Sequence, residues 1–202
     1  MKIVRVETLI SAGPFARSQE WSAIWNDLLN KISGVDWPPG SGKFTIYPES
    51  GKGRGRGNGV KPIKEGLIKR LKAQGWKPEE ALPLAVATQA GKLDAVLYTP
   101  RGPVALEWET GNISSSHRAL NKMALGLMKG ALVAAVLVVP SRKLYRFLTD
   151  RIGNFDELKP YLEVWKSLPC KEGVLEIVVI EQDAESKRVR RIPKGTEGRA
   201  LA

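Results

Sequence analysis

The chain has 202 residues, 43% of them apolar and 26% charged, which suits a folded chain with a sizeable core and excludes global disorder. Lys and Arg number 32 against 21 Asp and Glu, a net charge of +11 that points to a polyanionic partner, most often nucleic acid. One cysteine (Cys170) and one histidine (His117) exclude a disulfide framework, a cysteine-based zinc site and a multi-histidine metal site, and they fit a reducing compartment, the cytoplasm.

Lys2 to Ile10 alternates and is rich in Val and Ile, which predicts a strand. Arg5 and Glu7 within it argue against a signal peptide. Trp21, Ile24, Trp25, Leu28 and Ile32 recur at helical spacing and predict a helix from Ala16 to Ile32, stopped by Gly34. Residues 38–59 hold seven glycines with Lys43, Lys52, Arg54 and Arg56, and read as a basic loop. A helix from Pro62 to Gln74 follows, with Pro near its start and Gly75 after its end. Its Lys64, Lys69, Arg70 and Lys72 read as mostly solvent-facing. Pro78 to Ala90 reads as loop with a short helix.

Leu93 to Tyr98 and Val104 to Glu109 flank the turn Thr99-Pro-Arg-Gly-Pro103 and predict an antiparallel hairpin. Ser114 to Lys129 reads as a helix capped by its serines. Leu132 to Val139 is a continuous apolar run, as in a strand buried on both faces, and Ala131 to Val139 is too short for a membrane span. Ser141 to Ile152 and Phe155 to Leu168 read as helices, Val174 to Ile180 as a last strand, and 187–202 as a basic tail. The order predicts α/β architecture, a mixed central sheet with helices on both faces, in one domain over residues 1–202.

The chemistry concentrates in the hairpin. Burying an unpaired carboxylate is costly, yet Asp94 stands early in one apolar strand and Glu107 and Glu109 late in the other. Alternation puts Glu107 and Glu109 on one face and Trp108 on the other. An antiparallel pairing about a turn near Arg101 brings Asp94 beside them. Three carboxylates at one sheet edge call for a cation, and oxygen ligands favour a hard divalent one, Mg²⁺ in the cell. In a chain of charge +11, such a site fits hydrolysis of a phosphodiester.

Asp94, a twelve-residue gap and Glu107-Trp108-Glu109 resemble the metal-binding core of the PD-(D/E)xK nucleases. Glu stands in the place of the usual Lys, as in some type II restriction endonucleases of the BamHI kind. Glu65 to Trp76 resembles the helix before the active site in restriction endonucleases of the BglII and BstYI kind. The resemblance implies a restriction-endonuclease-like α/β/α fold and Mg²⁺-dependent, sequence-specific cleavage of double-stranded DNA by a homodimer. It implies that Asp94, Glu107 and the backbone carbonyl of Trp108 bind metal, that Glu109 orients or deprotonates the attacking water, and that Glu65 completes the site. Leu93 stands where the motif's name has Pro, and Glu109 cannot supply the positive charge of a Lys.

Each reading has a plainer counterpart. The hairpin carboxylates could be a solvated edge, with Glu107 paired to a lysine. Glu65 could be an exposed partner of Lys69, with Glu79 or Glu80 serving instead. Arg118, Lys122 and Lys129 share a helix stripe that is either solvated, a phosphate contact or a subunit interface. Lys43, Lys52, Arg54 and Arg56 suit DNA phosphates, or a flexible loop. From Lys43 to Lys77 there are ten basic and two acidic residues, which favours the former. Gly40-Ser-Gly-Lys43 lacks the earlier glycine and the Ser or Thr of a phosphate loop. A repair nuclease of the same fold and a non-catalytic DNA-binding protein are the other functions compatible with the pattern.

Overall fold

The computed structural model describes residues 1–53, 55–83, 91–109, 111–149 and 152–194. β1 (Lys2–Ala12), β3 (Lys77–Glu80), β4 (Leu93–Thr99), β5 (Gly102–Trp108), β6 (Ala134–Pro140) and β7 (Gly173–Glu181) form one sheet in the order β1-β7-β6-β5-β4-β3. A separate parallel pair joins β2 (Thr45–Ile46) to β8 (Ala184–Glu185). In the main sheet β5, β6 and β7 are parallel, while β1, β4 and β3 pair antiparallel.

All seven residues of β6 are buried. Ala134, Val136 and Val138 enter one core cluster, and Ala135, Leu137 and Val139 enter the other. A strand with two buried faces must be apolar throughout, which explains its unbroken run. The first cluster is closed by α2 (Gln19–Ser33) and α3 (Lys61–Lys72), the second by α4 (Ile113–Met128), α6 (Phe155–Leu158) and α7 (Leu162–Lys166). The predicted mixed sheet with helices on both faces is therefore present.

The helices start where side chains satisfy their first amides. The Ser18 hydroxyl accepts from the Trp21 N–H at 3.1 Å, so α2 starts later than Ala16, behind the single turn α1 (Gly13–Ala16). Asn112, rather than the following serines, caps α4 by accepting from the Ser115 N–H at 3.1 Å. The predicted helix 155–168 is divided by a 3-10 turn at Lys159–Tyr161, because Pro160 lacks an N–H and its ring crowds the carbonyl four residues back. Among the described residues of the span Ser141 to Ile152, only α5 (Arg142–Tyr145) is α-helical. Beyond it the backbone pairs elsewhere: the Gly51 N–H donates to Arg146 O at 2.8 Å and the Asn58 N–H to Phe147 O at 2.7 Å. Lys77–Glu80 is an edge strand rather than the expected loop and helix; residues 84–90 lie outside the described residues.

The same pairing organises the basic loop. A Cβ at Gly51 would lie 1.5 Å from the Leu148 carbonyl oxygen, and one at Gly59 2.1 Å from that of Pro193. These glycines allow backbone to pass against backbone. Buried Asn58 donates to the carbonyls of Tyr47 (2.9 Å) and Phe147 (2.8 Å) and accepts from the Ile192 N–H (3.1 Å). The basic tail thus crosses the loop as far as Lys194, whose Nζ reaches Arg56 O at 2.6 Å. Arg54 and the tail beyond Lys194 lie outside the described residues.

Candidate active site

The register of the hairpin pairs Ala95 with Leu106, so the next positions outward, Asp94 and Glu107, face each other across the two strands. Both follow the alternation of Val96 and Ala105 onto the α4 side of the sheet. Asp94 Oδ2 accepts the Trp108 N–H at 2.8 Å, taking a backbone donor at the end of the ladder. The Trp108 ring turns to the opposite face and is buried in the core. Glu109 lies just past the strand. Its N–H continues the pairing with Val138 O at 3.0 Å, and its buried carboxylate accepts the Gly111 N–H.

Asp94, Glu107, Trp108 and Glu109 all line one cleft of about 460 Å³. Its other charged walls are Lys64, Lys92, Arg118 and Lys122. Lys64 from α3 pairs with Asp94 Oδ1, and Lys122 from α4 pairs with Glu107 Oε1. Burial pushes the Glu107 carboxyl up to about 7; the neighbouring Asp94 adds to the rise, and Lys122 and Lys64 oppose it. Two carboxylates placed face to face in a half-closed cleft therefore draw in cations.

The donor set suits a hard divalent ion: carboxylate oxygens from two adjoining strands and the backbone carbonyl between Glu107 and Glu109. Among the described residues no three His, Cys, Asp or Glu side chains already stand at the spacing of a metal centre. The three carboxylates expected around one point line the same cleft but do not stand at ligand spacing about a single ion. They share one cleft, with two of them on lysines and the third on the Gly111 amide.

Arg118 and Lys122 are in the cleft, as the helix stripe allowed. Glu65 is exposed on α3 and does not line it. Glu80 accepts the Tyr98 hydroxyl at 3.2 Å on the β3 edge. Lys43, Lys52 and Arg56 are exposed on the basic loop, outside the cleft lining. His117 packs on Tyr161 and Trp165, with ring centroids 4.7 and 5.4 Å away. The sequence reading missed Lys64. A signal was there, because Lys64 precedes buried Leu67 and Leu71 by three and seven residues and so shares their stripe.

Residues 1–199 match the family model described as restriction endonuclease BamHI. The chain belongs to the BamHI restriction endonuclease family. Within this family it is 44% identical to the type II restriction enzyme OkrAI of Oceanobacter kriegii over 201 residues, spanning the whole of both chains. It is 33% identical to the type II restriction enzyme BamHI of Bacillus amyloliquefaciens over 181 residues, covering 86% of this chain and 81% of that one. The crystal structure of restriction endonuclease BglII complexed with a DNA 16-mer superposes with a TM-score of 0.58 at 11% identity, over 95% of this chain and 88% of that one, and shows the shared fold. Among the described residues no helix is long and apolar enough to cross a membrane.

Proposed function

We propose that this BamHI-family chain, a type II site-specific deoxyribonuclease, cleaves double-stranded DNA with Mg²⁺ held by Asp94, Glu107 and the Trp108 carbonyl. The observation that carries the reading is the face-to-face placement of Asp94 and Glu107 in a cleft walled by Lys64, Lys92, Arg118 and Lys122. When bound, the ion supplies positive charge to the phosphate and acidifies nearby water. The chain's own groups do the rest. The Trp108 N–H fixes the Asp94 carboxylate, and Gly111 fixes that of Glu109. Glu109, in the place of the motif's Lys, orients the attacking water and takes its proton. Water adds to phosphorus as one P–O bond breaks, and a proton ends on the departing oxygen.

Arg118 at the cleft and Lys43, Lys52 and Arg56 on the basic loop hold the DNA backbone through its phosphates. The chain acts as a single nuclease domain and as a homodimer, each subunit cutting one strand, since a two-fold protein suits a two-fold site. The test is digestion of phage DNA with Mg²⁺. Discrete fragments are expected, with Asp94→Ala abolishing cleavage while the protein still shifts DNA on a gel. Smeared products remove the sequence-specific reading, and an active Asp94→Ala protein removes the site assignment.

A further inference from the structure

Glu109 stands where the nuclease motif carries lysine, so β4 and β5 themselves bring no positive charge to the cleft, and on the hairpin's flank only Lys92 lines it. The fold brings positive charge from two helices on opposite faces of the sheet. Lys64 arrives from α3 and Lys122 from α4, each ending on a different carboxylate of the facing pair. Their side chains are 22% and 11% exposed, and Lys122 Nζ also donates to Lys92 O at 2.9 Å.

We infer that Lys64 and Lys122 are exchangeable counter-ions that neutralise Asp94 and Glu107 in the waiting enzyme and turn to the scissile phosphate once those carboxylates hold a divalent ion. The inference rests on the metal-binding role proposed above for Asp94 and Glu107. Two partly buried carboxylates side by side need compensating charge, and two ammonium groups make the cluster of four neutral. A divalent ion neutralises the two carboxylates by itself, and both lysines become surplus. Their two positive charges then match the phosphodiester, which carries one negative charge at rest and gains a second as water adds to phosphorus. Lysine suits this exchange. Its charge rides on a flexible four-carbon stem and can swing without moving either helix.

The test separates metal binding from cleavage. Mn²⁺ is titrated calorimetrically into the full chain without DNA, and single-turnover cleavage is measured at saturating Mn²⁺. Lys64→Met and Lys122→Met keep the stems and remove the charges; Lys64→Gln and Lys122→Gln give the same readout should a Met variant fail to fold. Each loss is expected to tighten Mn²⁺ binding about tenfold, because a competing cation is gone. Each is expected to slow cleavage about 100-fold, because transition-state charge is left unmatched. Mn²⁺ affinity that is unchanged or weaker overturns the counter-ion role. Tighter binding with wild-type cleavage overturns the hand-over to phosphate. Asp94→Asn separates this inference from the reading beneath it. If that variant keeps its Mn²⁺ affinity, the metal site itself is wrong. If it loses the affinity while both lysine variants bind as wild type, only the exchange is wrong.

Discussion

Glu107 on β5 and Glu176 on β7 stand two strands apart in one sheet, and burial pushes both carboxyls up to about 7. Their surroundings are opposite. Glu107 faces Asp94 at the mouth of a cleft, with Lys122 bonded to it and Lys64 beside its neighbour. Glu176 is closed in against β1. Thr8 donates to its Oε1 at 3.0 Å, and its Oε2 is buried without a hydrogen-bond partner among the described residues. A raised carboxyl therefore does not identify a reaction centre by itself. What separates the two is a place on a cleft and the presence of lysines paired there.

The sharpest way to break this comparison is cleavage. Glu107→Gln removes a ligand charge and is expected to slow DNA cleavage at least about 1,000-fold. Glu176→Gln is expected to leave the rate within about threefold, because it touches neither the cleft nor its lysines. Timed plasmid nicking at saturating Mg²⁺ measures both. Equal losses would mean that Glu176 is part of the active centre.

The second effect is on stability, and its sign follows from the proton. Folded Glu176 keeps its proton up to about pH 7, whereas an ordinary glutamate releases it near 4.5. Between those values the folded state holds more protons than the unfolded one, so stability falls as pH rises through the window. The full penalty above pH 7 is at most about 3 kcal/mol. Glu176→Gln stays neutral throughout. It is expected to raise the unfolding free energy at pH 8 by up to that amount, and much less at pH 5. Urea unfolding at both values checks it, and an equal gain at both would point to packing rather than charge.

These contrasts also show what can be read along a chain. The β4–β5 hairpin, the apolar β6 and the α3 and α4 helices follow from local pattern, because alternation, continuous apolarity and a 3.6-residue period are fixed by neighbours in sequence. So is the pairing of Asp94 with Glu107, since a tight turn near Arg101 sets the register. The end of α5 is not local. Arg146 and Phe147 leave the helix to receive Gly51 and Asn58, 95 and 89 residues earlier in the chain. The glycines of the basic loop look like freedom in sequence, but Gly51 and Gly59 serve close backbone approaches that only the folded chain defines. The stripe that Lys64 shares with Leu67 and Leu71 turns it toward the sheet, but its partner Asp94 is defined only once β4 is placed beside α3. The buried Glu176 sits in β7, and its closure against Thr8 of β1 is set by a pairing with the far end of the chain.

The smallest effect tests the comparison within the β1–β7 ladder itself. Glu7 precedes Thr8 on β1 and is also buried, and that burial alone pushes its carboxyl up. Lys166 at 2.9 Å and Arg5 at 2.8 Å outweigh it and hold the group below the ordinary carboxylate value. A lowered carboxyl contributes stability that is present above 4.5 and lost as pH falls through the folded value, the reverse of Glu176. Water screens the exposed heads of Arg5 and Lys166, so the contribution is about 1 kcal/mol or less. Glu7→Gln is expected to lower the unfolding free energy at pH 7 by that amount. The loss should shrink in acid and in high salt. At neutral pH the two glutamine variants on one ladder should then differ in sign, Glu176→Gln stabilising and Glu7→Gln destabilising. If both shift stability the same way, the paired and unpaired carboxylates are not distinguished by their cations, and the contrast with Glu107 loses its physical basis.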